Sequence, residues 1–229
     1  PNPTMKSCGS KSICLAILLF LCFSETLAQS RTADASDSSQ GPTLTFRKIF
    51  KSSYPEFAEI KINEDGSGTY DIRQLDDTPS PQPMQISQAL AHKLFELAAE
   101  LHNFHGVDLD VHRRIADLGQ KTLGYEKGTE KFQVTFNYTL NSAANQLLAI
   151  FDGLQRQELD LSDMVRTMRY DHLGVNDVMT RVQSDIRNKL LPEPEALLPT
   201  LDQLAANEEL VDIARQRARA IAEQIRNNH

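Results

Sequence analysis

The sequence predicts an α+β fold: an antiparallel sheet of about five strands in two hairpins, covered by helices, with a C-terminal helical hairpin. Three patterns carry that expectation. Residues 57–75 (FAEIKINEDGSGTYDIRQL) alternate apolar and polar positions on both sides of an acidic turn containing Gly66 and Gly68. Residues 123–139 (LGYEKGTEKFQVTFNYT) do the same around Lys127-Gly128, and Phe132, Val134, Phe136 and Tyr138 alternate without a break. Elsewhere apolar residues recur at three and four, the period of amphipathic helices.

The chain has 229 residues, 40% of them apolar, enough for one ordinary core with an appendage. Residues 1–4 precede Met5 and read as upstream translation. From Met5 a secretory signal is legible: Lys6 and Lys11 are its basic head, residues 13–23 (ICLAILLFLCF) its apolar segment, and Thr26-Leu27-Ala28 its cleavage site. That segment is too short to span a bilayer, which takes about 20 residues. Residues 1–28 are therefore expected to be cleaved and the rest exported, to the periplasm or outside the cell. Residues 29–43 (QSRTADASDSSQGPT) have the composition of a flexible linker.

Order is expected from Leu44, in an α+β domain over residues 44–190. A first strand places Leu44, Phe46 and Phe50 on one side. In the hairpin, Ala58, Ile60, Ile62, Tyr70 and Ile72 face one way, and Glu59, Lys61, Thr69, Asp71 and Arg73 face the other. The stretch 76–83, with Pro79, Pro81 and Pro83, reads as an exposed crossover because proline cannot donate to a central ladder. A helix follows over residues 86–104 on the stripe Leu90, Leu94, Leu97, Ala98, Leu101 and Phe104, stopped by Gly106. Ser142 offers a cap for a helix through Leu147, Leu148, Ile150, Phe151 and Leu154 that ends near Gln157. A short helix over residues 164–168 is interrupted around 171–174. The stripe resumes through Val175, Val178, Met179, Val182, Ile186 and Leu190 until Pro192 and Pro194 end it. Residues 191–229 form the helical hairpin, with Asn207 as cap, and Glu208, Glu209 and Asp212 opening a last helix rich in arginine.

Composition excludes several functions. The net charge is −7, becomes more negative once Lys6, Lys11 and Glu25 are removed, and no basic tract interrupts it, so nucleic acid is not an expected partner. Cys8, Cys14 and Cys22 all lie in the signal, which leaves the exported part without disulfides, thiolate metal sites or cysteine nucleophiles. Cys22 follows bulky Leu21 and does not suit lipidation. There is no GxSxG elbow and no phosphate loop, since Gly66-x-Gly68 lacks a third glycine and opens a strand. No cofactor motif is present.

The only histidine concentration is His102, His105 and His112, with Asp108 and Asp110 nearby. Two histidines three apart can share a metal and a third ligand would complete a catalytic zinc site, but Gly106 breaks the helix between them and helix ends attract histidine without any metal. Glu64, Asp65, Asp76 and Asp77 lack the offsets of a calcium loop and read as solvated turn acids. Asn137-Tyr138-Thr139 fits the glycosylation sequon on the polar face of a strand. Arg166, Arg169, Tyr170 and Asp171 read as a structural Arg-Asp knot, and Met164, Met168 and Met179 as core.

Residues 115–128 (IADLGQKTLGYEKG), Phe136-Asn137-Tyr138-Thr139, and the terminal LLPTLDQLA and IARQRARAIAEQI resemble exported proteins of soil bacteria. The hairpin with its Glu64-Asp65-Gly66 turn is also similar to small domains that combine a curled antiparallel sheet with helices. These resemblances imply export but bring no activity, ligand or catalytic residue. The expected function is therefore an exported, non-enzymatic protein working by binding or assembly. The alternative is a metal-binding protein or metal-dependent hydrolase using the three histidines. The expected partners are a protein or small ligand of unknown identity and, through the C-terminal helices, a second copy of the chain. No membrane-spanning segment is expected after the signal.

Overall fold

A computed structural model describes residues 41–227. The signal and nearly all of the linker lie outside them. Six strands form one antiparallel sheet: β1 (Thr43–Ile49), β2 (Phe57–Asn63), β3 (Ser67–Arg73), β4 (Gln82–Gln85), β5 (Gln120–Lys127) and β6 (Glu130–Phe136), in the order β4-β3-β2-β1-β5-β6. Five α-helices accompany it among the described residues: α1 (Gln88–Glu100), α2 (Ser142–Tyr170), α3 (Val175–Arg187), α4 (Leu198–Ala206) and α5 (Asp212–Asn227). The α+β fold with a C-terminal helical pair is as the sequence predicts.

The hairpin of β2 and β3 closes through Gly66, whose φ of 82° belongs to the left-handed region, and a Cβ there would sit 2.5 Å from the Ile86 carbonyl oxygen. Asp65 accepts from the Ser67 amide at 2.9 Å, so this acid serves the turn. The sixth strand was not expected. Gln82–Gln85 pairs with β3 at the sheet edge, where Pro83 faces Thr69 and its missing N–H costs little. The proline-rich crossover is thus shorter than its composition suggested.

The sheet buries one face. Leu44, Phe46, Ile60, Ile62, Leu123, Tyr125, Val134 and Phe136 pack against Leu94, Leu97 and Ala98 of α1 and Leu147, Phe151 and Leu154 of α2. Phe46 and Phe151 stack with centroids 5.1 Å apart. Each such side chain contributes about 1.5–3 kcal/mol through burial, so this cluster dominates the stability of the sheet. Phe50 lies beyond the end of β1, and the third inward position of that strand belongs to Lys48.

The α2 helix is the main departure from expectation. It is capped by Asn141, whose side chain accepts from the Ala144 amide at 3.0 Å, and it runs 29 residues, past Gln157 and through the stretch 164–168. The apolar stripe fades after Leu154 because the helix then buries Gln157, Asp160 and Thr167. Gly153 lets the chain after α3 cross closely, since a Cβ there would lie 2.7 Å from the Leu190 carbonyl oxygen.

A second core begins at Met164 and gathers Val175, Met179, Val182, Leu197, Leu201, Leu204, Ala218, Ile221 and Ile225. The apolar stripes of α4 and α5 are therefore covered within the chain. Asn207 ends α4 instead of capping the last helix; Glu208 and Glu209 lie in the turn and α5 starts at Asp212. Among the described residues no helix is long and apolar enough to cross a membrane.

Candidate functional site

Helical spacing places Asp152, Gln155, Arg156, Leu159, Asp160 and Asp163 along one face of α2, at offsets of three and four. Arg181 and Asp185 face them from α3, one turn apart. Lys48, at the end of β1, completes the group with Tyr54 and Pro55, which are joined by a cis peptide bond in the β1–β2 connection. Together they line a cleft of about 370 Å³. Four carboxylates and three cations line it, so the cleft is acidic on balance.

Ion pairs order the group. Arg181 donates through Nε to Asp160 Oδ1 at 3.0 Å and through Nη2 to Asp163 Oδ2 at 2.7 Å. Lys48 Nζ donates to Asp152 Oδ1 at 2.9 Å. Arg156 reaches Asp185 with both Nη1 contacts at 3.4 Å, a looser bond, and keeps 47% of its side-chain surface exposed.

Two acceptors are left over. Asp160 is 1% exposed and its Oδ2 has no hydrogen-bond partner; Gln155 Oε1 is likewise buried without one. Buried polar atoms are normally satisfied, and leaving one unpaired costs about 1–3 kcal/mol. Burial pushes the Asp160 carboxyl up to about 6, the neighbouring Asp185 adding to it and the Arg181 bond opposing it. Elsewhere on α2, burial also raises Glu158, which bonds the hydroxyl of Tyr70, itself raised by burial.

The three histidines are not gathered into a ligand set. His105 stacks edge-on against Phe132 at 4.6 Å, and His112 Nε2 contacts Asp108 Oδ2 at 2.6 Å, a bond that raises the imidazole and lowers the carboxyl. His102 is exposed. Among the described residues no three His, Cys, Asp or Glu side chains are placed to hold a metal ion. Asn137 lies just past β6, and its amide clamps the preceding loop, accepting from the Leu118 amide at 2.8 Å and donating to Ala116 O at 2.9 Å. Of the expected Arg-Asp knot, Arg166 pairs with Asp163 at 3.0 Å, while Asp171 accepts from the Gly174 amide.

Sequence reading missed every polar residue of the cleft. One signal was present: Asp152, Arg156, Asp160 and Asp163 recur at helical period across the point where the apolar stripe ends. Compared with known proteins, the chain matches no family model and no curated protein.

Proposed function

We propose that this is an exported binding protein that captures a small amine-bearing ligand in the cleft between α2 and α3. The observation that carries the reading is Asp160: a carboxylate buried in the lining of a cleft, with one oxygen unpartnered, in a lining where Gln155 Oε1 is unpartnered too. An ammonium group supplies a donor to the Asp160 carboxylate and offsets the acidic balance of the lining. Arg181, anchored by Asp163, holds Asp160 in place, and half-exposed Arg156 also lines the cleft. Neither serine, cysteine nor histidine lines the cleft, and its acids are engaged in ion pairs, an arrangement suited to gripping a ligand.

Thermal denaturation with 1,4-diaminobutane, agmatine and ethanolamine, against 1,4-butanediol as the neutral counterpart, tests this. At least one amine is expected to raise the midpoint in the wild type and not in Asp160→Asn. A series in which no amine acts, or in which Asp160→Asn responds equally, rejects the proposal.

A further inference from the structure

The solvent face of the sheet carries a second groove, of about 340 Å³, at the opposite side of the sheet from the apolar core. Its layout follows from register. Lys61, Thr45, Gly124 and Gln133 form one row across β2, β1, β5 and β6. The row on one side is Glu59, Arg47, Thr122 and Thr135; on the other it is Asn63, Thr43, Glu126 and Lys131. Gly124 is thus a notch in the middle row, with longer side chains on both flanks.

Nothing in the fold demands that glycine. Its φ is ordinary, and a Cβ there would meet its nearest neighbour, Thr45 Cβ, at 3.5 Å, a normal van der Waals distance. Yet β5 is an interior strand, where glycine costs stability and leaves no side chain to pack. The register of β5 runs unbroken through Gly124 against both β1 and β6, so the glycine does not serve a bulge, and the use left for it is close approach by another molecule.

The surroundings say what. Arg47, Lys61 and Lys131 line the groove with a single acid, Glu126, on a chain whose net charge is −7. Glu59 is divided between Arg47 and Lys61, and Glu126 pairs with Lys131 at 3.1 Å. The remaining lining groups are the hydroxyls of Thr45 and Thr122, the amide of Gln133, and Phe132; Thr122 and Thr135 already share a bond at 2.9 Å. Backbone groups here are consumed by the ladders on both sides of β1 and β5, so an acidic peptide would find no partners for its amides. Side-chain hydroxyls, an amide and cations instead match a ring bearing hydroxyls and carboxylates. The row spans three strand spacings, about 14 Å.

We propose that this face binds an acidic oligosaccharide, laid along the Gly124 row with its carboxylates toward Arg47, Lys61 and Lys131. Calorimetric titration of the full chain with tetragalacturonate at low salt tests it, with cellotetraose as the neutral probe and a polyglutamate peptide as the acidic, non-sugar probe. Tetragalacturonate alone is expected to bind, with affinity falling as salt is raised. Gly124→Ala is expected to keep or raise the melting temperature while weakening that binding at least tenfold; Lys131→Gln is expected to weaken it without changing the fold. The inference is overturned if tetragalacturonate does not bind, if cellotetraose or polyglutamate binds as well, or if a folded Gly124→Ala chain binds it undiminished.

Discussion

Asp160 holds its proton up to about pH 6 in the fold, whereas a free aspartate loses it near 3.8. The sign of the consequence is fixed by that order. Between those values the folded state binds more protons than the unfolded one, so stability falls as pH rises through the window. From pH 5 to pH 7 this one group removes about 1 kcal/mol. Asp160→Asn cannot titrate, so its stability relative to the wild type should rise by that amount over the same interval. Urea denaturation of both chains at pH 5 and pH 7 reads the difference directly; an equal wild-type-to-variant gap at the two pH values contradicts the assignment. The residue was invisible in the sequence because an aspartate at helical period reads as a solvated face, and only the arrival of α3 turns that face inward.

At the scale of elements, five of the six strands and α1 were legible because one face of each is apolar; the helix expected over 86–104 is regular only over Gln88–Glu100, and positive φ at His102, Asn103 and Phe104 ends it before Gly106. Ala58, Ile60 and Ile62 mark β2 without ambiguity, and all three are buried. The second half of α2 was not, because Gln157, Asp160 and Thr167 occupy positions where the period calls for leucine. Edge strand β4 was hidden for a different reason: its proline is compatible with a strand only where no neighbour follows. Gly153 shows how a tertiary crossing overrides local propensity. In an isolated helix, glycine to alanine stabilises by about 1 kcal/mol. Here the added methyl meets Leu190 O at 2.7 Å and Pro192 Cδ at 2.9 Å. Gly153→Ala should therefore destabilise the protein, by about 1–3 kcal/mol as overpacked sites do. A variant at or above wild-type stability in chemical denaturation would show that the segment 190–192 yields freely.

At the scale of the molecule, α2 belongs to both cores. Its first half seals the sheet with Leu147, Phe151 and Leu154, and its far end presents Met164 to α3, α4 and α5. Helices are stabilised mainly by the faces they bury, so loss of either core removes support from one end of this single helix. Between the cores lies the cleft, whose ion pairs tie α2 to α3 and to β1 through Lys48. The two cores should then unfold together. Leu147→Ala, in the sheet core, and Met179→Ala, in the helical core, each create a cavity costing about 2–5 kcal/mol. Each should lower one common transition, seen at the same denaturant concentration by tyrosine fluorescence, whose shielded reporters Tyr70 and Tyr125 lie on the sheet while Tyr54, Tyr138 and Tyr170 are exposed already in the fold, and by far-UV circular dichroism, which is dominated by the helices. Separate transitions, with Met179→Ala moving only the helical signal, would mean that α2 breaks between its halves; coincident transitions in both variants mean that the helix makes the protein one cooperative unit.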